Sequence, residues 1–168
     1  DGKRIKRFVV KRCNFRKNTL GNGEKARMTK TYLVYIAGAY SASTYAGVDR
    51  NIKYAIYVGN EVAKIDNCVP FVPHLFHYWN ALYPKSYEYW LNIDMEYLLK
   101  CDVVLRIDNA SSGADKECEY AIENDIPVVH GIDELEEWLS NMSKTRLTEF
   151  VKSNNKVVVT FQKSDTNF

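Results

Sequence analysis

Glu117 and Asp94 are the residues whose surroundings most plainly raise a chemical question. In "SSGADKECEYAIENDIPVV" (Ser111–Val129) the middle reads as a helix over about 113–124, and the helical neighbours of Glu117 are Gly113, Ala114, Tyr120 and Ala121. All are small or apolar, and no Lys or Arg stands three or four positions away to pair with the carboxylate. Asp94 repeats the pattern among Trp90, Leu91, Tyr97 and Leu98. A carboxylate held against apolar surface is costly unless it is partnered or used, so a pair flanking one strand is a candidate catalytic pair. The turn Ser111-Ser112-Gly113 opens the helix after a strand and offers backbone N–H groups and a positive dipole end, suited to an anion or to sugar hydroxyls. Ser112-x-x-Asp115 reads as a capping box with Asp in the usual Glu position. Tyr35 lies inside the first apolar strand with Gly38 at its exit, and His74 follows Pro73 at another strand end. There is no H-x-x-x-H, no His/Cys cluster, no Walker loop and no G-x-G-x-x-G, so neither a catalytic metal nor another cofactor is expected.

The elements that must position these groups follow from periodicity. "TYLVYIAGAY" (Thr31–Tyr40) reads as a buried parallel strand and its exit loop. Val48, Ile52, Ala55, Ile56, Gly59, Val62 and Ala63 recur at helical spacing and predict a helix over about 47–65. "CVPFVPHL" (Cys68–Leu75) reads as a short strand, and an aromatic-dense segment from Phe71 to Trp90 leads into a helix reaching about Lys100. "DVVLRI" (Asp102–Ile107) is the clearest strand. In the helix after it, the expected inward stripe is Ala114, Cys118, Ala121 and Ile122, with Glu117 at its edge and Asp115, Lys116, Glu119 and Glu123 outward. "IPVVH" (Ile126–His130) is the next strand, and Asp133–Met142 the next helix, with Asp133 as N-cap. Alternating strands and helices predict an α/β fold: a doubly wound, flavodoxin- or Rossmann-like, mostly parallel sheet in a three-layer sandwich. Ligands of such sheets sit at the carboxyl ends of the strands, which directs attention to the loops beginning near Ala37, Pro73, Asp108 and His130.

Charge divides the chain. Residues 1–30 carry a net +9 and the remaining 138 a net −7, within an overall +2 for 168 residues. The expected organisation is a basic extension over 1–30, a globular domain over 31–145, and a C-terminal tail over 146–168 with a strand-like run, "KVVVTF" (Lys156–Phe161). The basic arm, in which "RFVVKRCNF" (Arg7–Phe15) reads as an extra strand, is either a solubilising or partner-binding extension or an electrostatic contact for nucleic acid. No apolar run reaches membrane-spanning length, and the opening residues do not read as a secretory leader. Cys13, Cys68, Cys101 and Cys118 show no C-x-x-C spacing, and three fall in or beside apolar runs. A reducing, cytoplasmic setting is expected.

Four pieces, in order, resemble the nucleoside 2-deoxyribosyltransferase-like superfamily, which includes the 2′-deoxynucleoside 5′-phosphate N-hydrolases: "VYIAGAY" (Val34–Tyr40), "VPHL" (Val72–Leu75), "DMEYLLKCDVVL" (Asp94–Leu105) and "SSGADKECEYA" (Ser111–Ala121). The resemblance covers about residues 32–140. It implies that Glu117, in a G-x-x-x-E position from Gly113, is the nucleophile at the anomeric carbon, that Asp94 orients it or supplies a proton to the departing base, and that Tyr35 donates a hydrogen bond. It implies that Gly38, Ser41, His74, Ser111 and Gly113 hold the sugar or a 5′-substituent, and that aromatics around Trp79 close over the base. Because relatives complete their pocket from a neighbouring subunit, it also implies a homo-oligomer, with a small nucleoside or nucleotide as partner. Two departures stand out. No arginine follows Gly38 until Arg50, where the monophosphate hydrolases carry one for the 5′-phosphate. Ser111 stands where the transferases tend to have an aspartate. Other readings are cleavage of the nicotinamide–ribose bond of NAD and a non-catalytic nucleotide-binding or sensing domain on the same scaffold.

Overall fold

A computed structural model describes residues 30–153. The chain runs β1 (Tyr32–Ala37), α1 (Tyr45–Val62), β2 (Cys68–Phe71), a 3-10 turn (Pro73–Leu75), α2 (Phe76–Leu82), α3 (Tyr87–Leu98), β3 (Val103–Arg106), α4 (Ser112–Glu123), β4 (Val128–His130) and α5 (Gly131–Ser153). The four strands form one sheet in the order β2-β1-β3-β4, with every pairing parallel. This is the expected doubly wound α/β sandwich. Strand order reverses between β1 and β3, so the crevice at their carboxyl ends is the topological switch point.

Strand alternation assigns the two faces. Val34, Ile36, Val103 and Leu105 pack beneath Ala55, Val58 and Val62 of α1 and Leu135 of α5. Tyr35, Ala37 and Val104 pack against Leu98 of α3 and Ala114 and Ala121 of α4. Burial on both faces explains why β1 and β3 read as nearly continuous apolar runs. β2 is an edge strand, which accommodates Pro70 despite its missing N–H.

Several boundaries differ from expectation. β2 ends at Phe71, and Pro73 opens the 3-10 turn, so His74 sits on a turn rather than a strand. α5 starts at Gly131, whose φ is +78, instead of being capped by Asp133. There the His130 N–H donates to Glu134 Oε2 at 2.7 Å, so an acid inside the first turn does the capping work. The same helix continues past residue 142 and past the expected domain edge at 145. Ile122 is 65% exposed, and the buried residues of α4 are Ala114, Glu117 and Ala121, with Cys118 half-buried against the same core as expected. At about 100° per residue these three cluster within one narrow sector, and Ile122 falls roughly a quarter turn outside it. The strand-like runs Arg7–Phe15 and Lys156–Phe161 lie outside the described residues, as does the basic arm apart from Lys30. Among the described residues no helix is long and apolar enough to cross a membrane.

Candidate active site

β1 turns Tyr35 toward the α3/α4 face, and α4 turns Glu117 toward β1. The two meet in the interior: Tyr35 is fully buried, Glu117 is 7% exposed, and the Tyr35 hydroxyl donates to Glu117 Oε1 at 2.8 Å. Phe71 of β2 stacks on the Tyr35 ring at 5.6 Å and holds it in place. Burial pushes the Glu117 carboxyl up to about 8. The Tyr35 hydrogen bond and the Arg106 charge oppose that rise, and the Asp94 charge adds to it. The Tyr35 hydroxyl is itself pushed well above its usual value, by burial first and by the Glu117 and Asp94 charges next, so it remains a proton donor in the hydrogen bond.

Asp94, on α3, completes the pair. One of its carboxyl oxygens, Oδ1, is buried with no hydrogen-bond partner in the protein, and burial raises the group to about 7. Two carboxyls that interact in a low-dielectric pocket titrate as a unit, and near neutral pH the pair carries about one proton. One group is then an ionised nucleophile or base and the other an acid, an arrangement suited to glycosidic chemistry.

The loops at the switch point are tied to one another. Asn109, in the β3–α4 loop, accepts through Oδ1 from the Ala39 N–H at 2.9 Å and so binds that loop to the exit of β1. Arg106, the last residue of β3, is buried inside the same loop. Its guanidinium donates to the Ile107 carbonyl, to Asn109 Oδ1 at 3.3 Å, to the Asn109 carbonyl at 2.7 Å and to Asp115 Oδ1 at 3.0 Å. Gly38 follows β1 because the space is taken: a Cβ there would lie 2.5 Å from Ile107 Cγ1 and Cδ1. His74 is buried, and its Nε2 bonds the Ala39 carbonyl at 3.0 Å. A carbonyl only accepts, so Nε2 carries the proton. Burial lowers the ring's pKa and keeps it neutral, and Nδ1 is left with a lone pair and no protein partner.

The expected residues do not all converge. Tyr35, Asp94 and Glu117 form one electrostatic unit, and Gly38, His74, Ser111 and Gly113 sit on the turns around the strand ends. Ser111 is the N-cap of α4, its hydroxyl accepting from the Ala114 N–H at 3.2 Å. The N-cap is therefore Ser111 rather than Ser112, no capping box forms because Ala114 stands at the third position after it, and Asp115 pairs with Arg106 instead. Ser41 is exposed, and its carbonyl accepts from the Asn51 side chain at 3.3 Å. Trp79 belongs to an aromatic cluster formed by α2 and α3. It packs edge-on against Phe76 at 5.9 Å and Trp90 at 5.2 Å, and lines an outward groove with Tyr89, Asn92, Ile93, Glu96 and Tyr97. Tyr97 and Phe76, through Phe71, link that aromatic cluster to Tyr35.

Three residues were not singled out from the sequence. Arg106 carries a signal, a cation inside the apolar run "DVVLRI". Asn109 carries none, because its role depends on two loops meeting. Tyr87 is the third: its hydroxyl lies 3.4 Å from where a Cβ on Gly113 would stand, over the first turn of α4. Among the described residues no group of three or more His, Cys, Asp or Glu side chains is placed to hold a metal ion.

Residues 32–131 match the family described as "Domain of unknown function (DUF7768)", and the chain belongs to that family. That span contains Tyr35, Asp94, Arg106, Asn109 and Glu117. No curated protein matches the chain. Among solved structures it is similar to a 2-deoxyribosyltransferase from the psychrotolerant bacterium Bacillus psychrosaccharolyticus, described as a biocatalyst for the synthesis of antiviral and antitumoral nucleosides. The identity is 16% and the TM-score 0.41, over 58% of this chain and 70% of that one.

Proposed function

We propose that the chain cleaves or transfers at the N-glycosidic bond of a nucleoside or nucleoside monophosphate, through a covalent glycosyl-enzyme on Glu117. The observation that carries this reading is the buried Tyr35–Glu117 hydrogen bond at a topological switch point, with Asp94 in electrostatic contact with both. The resemblance of four ordered segments to the nucleoside 2-deoxyribosyltransferase-like superfamily supports it independently of the geometry.

In this mechanism the reactive form of the singly protonated pair has Glu117 ionised and the proton on Asp94; with Glu117 raised to about 8 and Asp94 to about 7 it is the minor of the two forms, and from it Glu117 attacks C1′ of the sugar. The C1′–N bond breaks, its electron pair goes to the base, and a proton held by Asp94 passes to the base nitrogen or to a conjugated ring position. The glycosyl-enzyme is then attacked at C1′ by water or by a second base. That step frees the Glu117 carboxylate and returns a proton to Asp94. Tyr35 donates to Glu117 throughout and keeps its attacking oxygen aligned. Deep burial strengthens each of these interactions and restricts side reactions. The active protein is a homo-oligomer in this reading.

The test is base release. The chain is incubated with nucleosides, nucleoside monophosphates and NAD, with and without a second free base, and chromatography reports free or exchanged base. Release that is lost in Glu117→Ala supports the reading, and dependence on the added base separates transfer from hydrolysis. Ligand binding without release from any substrate would favour a non-catalytic nucleotide-binding domain.

A further inference from the structure

The carboxyl pair explains the chemistry but not what holds the switch point open at the right width. Arg106 is an unusual residue for that place. It ends β3, pairs in register with Ala37 of β1 and His130 of β4, and is only 8% exposed. A buried guanidinium is tolerated only when its donors are satisfied. Three of its bonds go to the loop it precedes: the Ile107 carbonyl, the Asn109 carbonyl and Asn109 Oδ1. The fourth goes to Asp115, whose side chain is 61% exposed, so that ion pair is largely screened and the loop contacts dominate.

We propose that Arg106 is the positioning residue of this site: it folds the β3–α4 loop around its guanidinium, delivers Asn109 to the Ala39 N–H of the β1 exit, and keeps a positive charge within electrostatic reach of Glu117. The proposal rests on the glycosidic reading for its purpose, and on the hydrogen bonds for its geometry. The fork of a guanidinium reaches two acceptors of Asn109 at once; a lysine ammonium keeps the charge but not the fork. Arg106 therefore has two separable effects, one geometric through Asn109 and one electrostatic on Glu117. The groups facing Glu117 are Tyr35 from β1, Asp94 from α3 and Arg106 from β3, with Cys118 beside it on α4.

Two measurements on the intact chain, neither needing a substrate, read these effects. Hydrogen exchange of the Ala39 amide reports the loop tie, and a carbon-13 NMR titration of the Glu117 carboxyl reports the charge. In Arg106→Met the Ala39 amide exchanges at least about fivefold faster, and the Glu117 midpoint moves above its wild-type position. Arg106→Lys restores the midpoint and leaves Ala39 exchange fast. Asn109→Ala speeds Ala39 exchange and leaves the midpoint in place. If Arg106→Met does not fold, the lysine and alanine variants carry the test. Wild-type exchange of Ala39 in Arg106→Lys, or an unmoved midpoint in a folded Arg106→Met, would overturn the proposal. The glycosidic reading fails separately, when no base is released by a wild-type protein whose loop tie and Glu117 titration respond as described.

Discussion

Glu117 is a carboxyl that the fold keeps dry and yet gives a hydrogen-bond donor, and that combination decides its behaviour. With Glu117 raised to about 8 and Asp94 to about 7, the singly protonated pair peaks between those values. A bell-shaped profile of kcat/KM centred near pH 7.5, measured as base release, is therefore expected. The acid limb falls because both groups are protonated and no nucleophile remains. The basic limb falls because both are ionised and no proton is left for the base. Tyr35→Phe removes a hydrogen bond that lowers the Glu117 pKa, so its basic limb moves to higher pH and the rate falls by about tenfold to a hundredfold. An unmoved limb in that variant would detach Tyr35 from the chemistry. At this scale the sequence was informative wherever the cue was local. Glu117 and Asp94 stood out because their neighbours three and four positions away are apolar. Tyr35 looked like an ordinary core residue until the resemblance supplied its role. Asn109 was silent, since its partner is 70 positions away.

At the scale of the elements, the site depends on how closely the exits of β1 and β3 approach. Gly38 records that approach. In Gly38→Ala the new methyl group meets Ile107 at 2.5 Å, and Ile107 is a buried, β-branched side chain whose χ1 is stiff. The substitution is expected to cost about 1–3 kcal/mol by thermal or urea unfolding. Ile107→Ala alone opens a cavity beneath the sheet and is also destabilising. Combined, the two relieve one another, and the double variant is more stable than the sum of the single losses implies. Simple additivity would show that the two loops are not in contact. Strand and helix types were legible here because burial on both faces makes parallel strands uniformly apolar. Helix limits were less so. α5 begins at a glycine with positive φ and uses Glu134 rather than Asp133 at its start. Ile122 is apolar yet lies outside the buried sector of α4, so its residue type points inward where its angular position does not. Aromatic density in the sequence says nothing of direction; in the fold the Trp79 ring packs on Phe76 and Trp90.

For the whole molecule, the raised carboxyls make stability depend on pH in a stated direction. Glu117 and Asp94 bind protons in the folded chain at pH values where the unfolded chain, with ordinary values of 4.5 and 3.8, has released them. Stability therefore falls as pH rises toward the folded values of about 8 and about 7. His74 acts in the opposite sense: its pKa is lowered by burial, so its contribution is present above its ordinary value of 6.5 and is lost as pH falls below it. The clean window is therefore above pH 6.5. Between pH 6.5 and 8.5 the melting temperature of the wild-type chain is expected to fall. Glu117→Gln flattens that slope and, at the alkaline end, melts higher by roughly 5 °C. Equal slopes in the two proteins would mean that Glu117 is not buried. The fold class was readable because alternating strands and helices admit few arrangements. The strand order β2-β1-β3-β4 was not, because pairing between distant segments leaves no local trace, and the switch point could be located only once that order was known.

The most direct test of the central claim is to trap the glycosyl-enzyme. A 2-deoxy-2-fluoroarabinosyl nucleoside, whose fluorine slows attack on the intermediate, is mixed with the intact chain, quenched and weighed by mass spectrometry with peptide mapping. The expected result is a gain of one fluoropentosyl group on the peptide containing Glu117, with free base released in equal amount and no adduct in Glu117→Gln. Base release with no adduct at any quench time, or an adduct on another residue, would contradict it.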